Sequence, residues 1–420
     1  MPLHGVGGLE RSVRDLVRHL AARHVEVVLV TPPPREGAAG AHADPFSAPR
    51  IAVRHVPYVT FPFANRRGTT VIDRSTAYLV FGWRAGRLAG ALAREGAVDV
   101  VHGFGASVLG YAGARRAGRR RGGRAAGRTP APLVFNPQGL EEFGATGMAQ
   151  PAAKRIGYAP LRAAVRRCAA AADRVLATDK ALEPMIRRHL KPTPDQLRTI
   201  PNGIDLAEVT ALAGPADGLL TRQRHAIRAG ELLFLSVARL ERNKGLDVLA
   251  AALARAARSD GPMAAIGWRW VIVGTGPHRA AIERAVHDHG IARHVLFAGR
   301  ATESELHAWY EAASVFVHPT LYEGSSLVTL EAMAHRRAVI ATRAGGLPDK
   351  VFPGENGWLV EPGDADELAA ALNEAAAATR RLPAMGARSR DIVERDFAWS
   401  VLVTRQIEMY DELLAEQARG

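Results

Sequence analysis

Short apolar runs alternate with longer stretches of helical period along the whole chain. In the first half, "VEVVLV" (25–30), "IAVRHV" (51–56), "VDVVHG" (98–103), "PLVFN" (132–136) and "RVLAT" (174–178) read as buried strands. Ala/Leu/Arg segments separate most of them, with the period of a helix that lays one face on a core. The alternation resumes after residue 200 with "ELLFLSVARL" (231–240), "WRWVIVG" (268–274), "HVLFAG" (294–299), "SVFVHP" (314–319), "AVIAT" (338–342) and "GWLVEP" (357–362). Helices are predicted near 245–258, 277–289, 303–312 and 327–335, and a last one near 397–417.

Continuous apolar strands alternating with helices argue for parallel sheets covered on both faces. Two such series in 420 residues argue for an α/β protein of two doubly wound, Rossmann-like domains. The first spans 1–200 and the second 201–396. "IPNGIDL" (200–206) marks the join, because Asn-Gly is a turn signal. In open sheets of this kind ligands bind beyond the carboxyl ends of the strands, so the chemistry is sought there.

Charge divides the two halves. Residues 1–200 carry a net +17 and residues 201–420 a net −4, within the total of +13. A basic first half suits an anionic partner: nucleic acid, an anionic lipid surface or a phosphorylated substrate. The densest stretch, "RRAGRRRGGRAAGR" (115–128), has no aromatic residue to stack on bases, and it reads equally as a solvated Arg/Gly loop. No specific nucleic-acid binding is expected. No apolar run has the length needed to cross a bilayer. The opening "MPLHGVGGLERS" has no apolar leader pattern, and the single cysteine, Cys168, excludes an internal disulfide. A cytoplasmic location is expected, with peripheral contact at the inner membrane face through the basic half.

Several motifs follow predicted strands. Arg239 and Lys244 lie in "SVARLERNKGLDV", between a strand and a helix start. A guanidinium fork, an ammonium and a helix N-terminus together suit a diphosphate; the alternative is two surface cations on a loop. Glu323 follows "SVFVHP", and Gly324, Ser325, Ser326 and Leu327 lead into a helix that carries Glu331. Two carboxylates flanking free N–H groups suit a ligand with hydroxyls at both ends and phosphates between, as in a nucleotide sugar. Gly7 and Gly8 before the first helix, and Gly274 in "VIVGTGP", permit close backbone approach. His102 ends the strand "VDVVH" and is either a site residue or a core histidine. "GDADEL" (363–368) reads as a helix cap rather than a metal ligand pair. No cluster with metal-ligand spacing stands out.

Taken in order, "GVGGLE", "DVVH", "IPNGID", "VARLERNKG", "VGTGP", "VLFAG", the Glu-x7-Glu run "EGSSLVTLE" and "GGLPD" resemble the retaining glycosyltransferases of family 4. The resemblance covers nearly the whole chain. It implies the GT-B fold, two Rossmann-like domains facing across a cleft, with the helix in 397–420 crossing back to the first domain. It implies sugar transfer from a nucleoside diphosphate sugar to a glycan, lipid-linked or small-molecule acceptor, with no metal or other cofactor. Arg239 and Lys244 would hold the diphosphate, and Glu323 the sugar hydroxyls. Backbone N–H groups from Gly324, Ser325, Ser326 and Leu327 would touch sugar and phosphate. Glu331 would hold the ribose, and Gly7 and Gly8 would close over phosphates or acceptor. The incoming hydroxyl would attack from the leaving-group face.

The chain departs from the family pattern in three places. Only "MPLH" precedes Gly5, where the family has a central strand, so a start upstream of Met1 is expected, with greater stability for the longer form. Gln138 replaces a common histidine on the acceptor side. Arg336 and Ala338 replace common Gly and Pro positions in "AHRRAV", which bears on the turn rather than the chemistry. The rival functions are a GT-B sugar-nucleotide epimerase and a GT-B binding protein that has lost turnover.

Overall fold

The computed structural model describes residues 8–33, 46, 48–60, 70–120, 130–144, 151–258 and 260–419. The chain divides into two compact units, Met1–Pro201 with Leu402–Gly420, and Asn202–Val401. Both are built of parallel strands and helices.

In the first unit the strands are β1 (Val27–Thr31), β2 (Ile51–His55), β3 (Val101–Phe104), β4 (Leu133–Asn136), β5 (Arg174–Ala177) and β6 (Leu197–Thr199). Among the described residues they form two sheets, β1–β2 and β3–β4–β5–β6. Side chains bridge the two: Val13 and Val17 of the helix Gly8–Ala22 pack with Leu29, Phe46 and Phe104. The expected glycine loop through Gly7 lies outside the described residues. β6 escapes sequence reading because it has three residues, too few to show a period, between Pro194 and Pro201. The last helix, Trp399–Arg419, places Met409 and Leu413 on Val134 and Leu176 of the larger sheet. Its Glu416 pairs with Arg174 at 2.5 Å.

The second unit holds β7 (Leu232–Val237), β8 (Trp268–Val273), β9 (Val295–Gly299), β10 (Val315–His318), β11 (Ala338–Thr342) and β12 (Gly357–Val360). They form one parallel sheet in the order β12-β11-β10-β7-β8-β9. β7, β10 and β11 are buried throughout, which explains their unbroken apolar runs. Leu249 and Leu253 pack on one face, and Tyr310, Leu330 and Met333 on the other. The chain moves outward from β7 to β9 on one side, then returns to β10 on the other. The strand order therefore reverses between β7 and β10, where the following loops diverge and leave a crevice. Arg239 and Lys244 follow β7, and Glu323 follows β10.

Candidate active site

The loops after β7 and β10 are tied together by backbone. The carbonyl of Asn243 accepts from the Leu321 N–H at 2.8 Å and from the Thr320 hydroxyl at 3.0 Å. The next turn ends at Gly245 with φ +62, where a Cβ would lie 2.1 Å from the Pro319 carbonyl oxygen. Any other residue here would need both a strained φ and a wider gap between the loops. This contact brings Lys244 to Glu323.

The Lys244 Nζ donates to Glu323 Oε2 at 2.8 Å, and His318 Nε2 lies 2.7 Å from the same oxygen. Because a carboxylate has only lone pairs, that imidazole nitrogen carries the hydrogen. The Gly324 N–H donates to Oε1 at 3.1 Å. The Lys244 and Glu323 side chains are only 16% and 15% exposed. Burial alone would raise the Glu323 carboxyl. The hydrogen bond and charge of His318, with the Lys244 ammonium, outweigh it and hold the group well below the usual carboxylate range.

Beyond Glu323 the chain enters the helix Leu327–Ala334. Ser326 caps it, its Oγ accepting from the Thr329 N–H at 3.4 Å and lying 2.9 Å from the Thr329 hydroxyl. Its side chain is thereby committed to the helix start. The Ser325 Oγ is buried with no hydrogen-bond partner, and the space around Gly324 is open. A buried orphan hydroxyl beside an open stretch of backbone is what a polar ligand would complete. One turn into the helix, buried Glu331 accepts from the Tyr310 hydroxyl at 2.8 Å. The Tyr310 ring stacks on His335, which is 2.7 Å from both His307 and Glu311.

The other expected site residues have surroundings of their own. Arg239 is 80% exposed and pairs with Glu241 at 3.0 Å. Gly274, φ +134, supports the β7 loop, since a Cβ there would meet the Ala238 carbonyl oxygen at 1.9 Å. Gly8 begins the first helix, and Gly7 is outside the described residues. His102 Nδ1 lies 2.8 Å from the Tyr410 hydroxyl, while its Nε2 is buried without a partner. Burial pushes its pKa down to about 3, so the imidazole is neutral at pH 7. Gln138, φ +65, folds back on its own turn, its N–H and Nε2 both donating to Asn136 Oδ1 at 3.0 Å. Asp364 caps the helix Ala365–Ala377, as its sequence suggests. Arg115, first of the Arg-rich stretch, is buried and ion-paired with Asp173; residues 121–129 lie outside the described residues.

Sequence reasoning missed His318 and Tyr310. His318 had a signal, a polar residue closing an apolar strand at the point of reversal. Tyr310 had none, since an aromatic on the buried face of a helix reads as core.

Two family models match the chain, "Glycosyltransferase Family 4" over residues 6–208 and "Glycosyl transferases group 1" over 231–377. The D-inositol 3-phosphate glycosyltransferase of Streptomyces scabiei is 29% identical over 100% of this chain and 90% of its own length. The GDP-mannose-dependent alpha-(1-6)-phosphatidylinositol monomannoside mannosyltransferase of Mycobacterium tuberculosis is 32% identical over 50% of this chain and 54% of its own. The match thus spans about half the length of that mannosyltransferase. Among solved structures, sucrose-phosphate synthase from Thermosynechococcus elongatus superposes with a TM-score of 0.71 at 25% identity, covering 98% of this chain and 94% of the other. With the GT-B fold, both family models and the Glu-x7-Glu loop in place, the chain belongs to glycosyltransferase family 4.

Proposed function

We propose that the protein transfers a sugar from a nucleoside diphosphate sugar to an acceptor hydroxyl, with retention at the anomeric carbon. The observation that carries this reading is the Lys244–Glu323–His318 group at the point where the strand order reverses. Lys244 would neutralise the diphosphate as it leaves with added charge, the largest kind of contribution an enzyme makes to such a step. Glu323 would accept from sugar hydroxyls, and Glu331, steadied by Tyr310, from the ribose. Orphan N–H groups at the start of Leu327–Ala334 add positive potential. Arg239 would swing from Glu241 to the phosphates, because an exposed pair of that kind contributes only about 0–1 kcal/mol. These cations are the source of positive charge in our reading, which asks for no metal ion.

The relatives' names point to inositol phosphate and phosphatidylinositol-linked acceptors. We read the acceptor here as a polyol phosphate or a lipid-linked glycan. The basic first half would meet it, in a cytoplasmic enzyme peripheral to the inner membrane face. Lys244→Ala tests the site. Nucleoside diphosphate release from UDP- and GDP-sugars is expected to fall by about 10²-fold or more in kcat/KM. The rise in melting temperature with UDP or GDP should shrink with it. Unchanged kcat/KM would remove Lys244 from the chemistry.

A further inference from the structure

The described residues leave few large apolar side chains exposed, and four of these share one region of the first unit. They are Ile72 (57%), Val80 (50%), Trp83 (49%) and Ile156 (74%). Val80, Trp83, Arg84 and Arg87 share one exposed face of Ala77–Glu95, and Ile72 is exposed on the preceding helix, Thr70–Ser75. The Thr76 hydroxyl donates to the Ile72 carbonyl at 2.6 Å, tying the break between the helices to the first of them. The helix Ala152–Gly157 lies alongside. The Ser75 hydroxyl donates to the Gly157 carbonyl at 2.7 Å, and Val71 is packed against Gly157. The helix that carries Ile156 therefore packs beside the one that carries Ile72.

Cations surround these side chains. Arg84, Arg87, Lys154 and Arg155 are exposed, and the Arg87 guanidinium lies over the Trp83 ring at 4.8 Å. No acid occurs between Asp73 and Glu95, or between Glu142 and Asp173. Of the acids that flank these segments, Asp73 accepts from the Tyr58 hydroxyl at 2.6 Å, and Glu141 pairs with Arg74 at 2.8 Å.

We infer that this face, with Ile72, Val80, Trp83 and Ile156 ringed by Arg84, Arg87, Lys154 and Arg155, seats the enzyme on an anionic lipid bilayer. The inference rests on the reading of the acceptor as presented at a membrane, and supplies the contact surface. A bilayer interface satisfies both kinds of side chain at once. Anionic headgroups meet the cations, while the aliphatic tips and the Trp ring enter the headgroup–acyl boundary. Nucleic acid would satisfy the cations alone and leave three aliphatic side chains wet.

Co-sedimentation with vesicles of phosphatidylcholine, alone or mixed with phosphatidylglycerol, tests this on the full chain. The wild type should bind the mixed vesicles, and less strongly at high salt. Arg84→Glu/Arg87→Glu and Val80→Asn/Trp83→Asn should each lower the partition coefficient roughly tenfold or more. Leu219→Asn/Leu220→Asn alters an exposed apolar pair in the other unit and should change nothing. Circular dichroism and the UDP or GDP melting shift should match wild type in all three, separating loss of docking from loss of fold or donor site. Failure of the wild type to bind mixed vesicles overturns the proposal. So do face variants that bind like wild type, a control that falls equally, or duplex DNA binding that shows the same sensitivity while vesicles stay unbound. Absence of any nucleotide melting shift in the wild type would instead strike the donor reading and leave the membrane result standing.

Discussion

His318→Leu removes one of two side-chain partners of the Glu323 carboxylate and leaves both acidic and basic residues of the proposed donor site in place. His318 is 3% exposed, and leucine fills a similar volume. The lost interaction is a 2.7 Å hydrogen bond to a charged group, worth about 1.5–3 kcal/mol. Its loss should be felt most when the diphosphate draws Lys244 away, since Glu323 then keeps only the Gly324 N–H and the substrate. At about 1.4 kcal/mol per tenfold, kcat/KM should fall roughly 10- to 150-fold. The acid limb of the rate profile gives a second readout. The partners of Glu323 hold its pKa below the ordinary value of about 4.3. A carboxyl depressed on folding contributes stability that is complete above its unfolded pKa and is lost as pH falls through its folded one. Losing His318 moves the folded pKa upward, so activity and stability should both begin to fail at a higher pH than in wild type. His318→Gln, whose amide can donate, should recover part of each. Steady-state kinetics and denaturation across pH decide the matter: an unchanged kcat/KM with an unchanged acid limb would refute the holding role of His318.

Tyr310→Phe deletes the hydroxyl that steadies Glu331 and should raise the donor KM by about fivefold or more with little change in kcat, because a ribose contact binds ground and transition states alike. A fall in kcat alone would argue against the ribose role. Arg336 holds φ +57 in an exposed turn beside Arg337, so Arg336→Gly should raise the melting temperature by roughly 1–3 °C and leave kinetics untouched; a lower melting temperature would show that the side chain has contacts that matter.

The second unit was the more legible of the two because its central strands are buried on both faces and stand out as unbroken apolar runs. Glu323, Lys244 and Glu331 could be found by their position just past strand ends. Their partners could not. Lys244 and Glu323 are 79 residues apart, and the pairing of β7 with β10 and the Asn243 and Gly245 contacts between the following loops bring them together. For Ser326 the family resemblance implies a contact through its backbone N–H, while its hydroxyl does the ordinary work of a serine before an apolar helix and caps it. Arg239 and Lys244 form one cationic pair in the sequence. In the structure the first faces solvent, while the second is mostly covered and turned to Glu323 after the tight turn through Arg242–Lys244.

The pairing of Lys244 with Glu323 also bears on how the site exchanges partners. Each group is nearly buried, and a buried charge without a partner shifts toward its neutral form. The pairing helps to hold the Glu323 carboxyl ionised. An arriving diphosphate can replace the carboxylate as partner of Lys244, anion for anion, and no ammonium is left bare. His318 then retains Glu323, whose Oε2 becomes able to accept from a sugar hydroxyl. Water, being neutral, offers Lys244 no such exchange. The carboxylate thus competes with the nucleotide for Lys244, and removing its charge should make that cation more available. Glu323→Gln is therefore expected to bind UDP or GDP several-fold more tightly than wild type, about 1 kcal/mol for a pair of this exposure, while transfer is lost. Isothermal titration calorimetry with the nucleoside diphosphates measures this directly. If Glu323→Gln binds them no more tightly than wild type, Lys244 is not the group for which carboxylate and diphosphate compete.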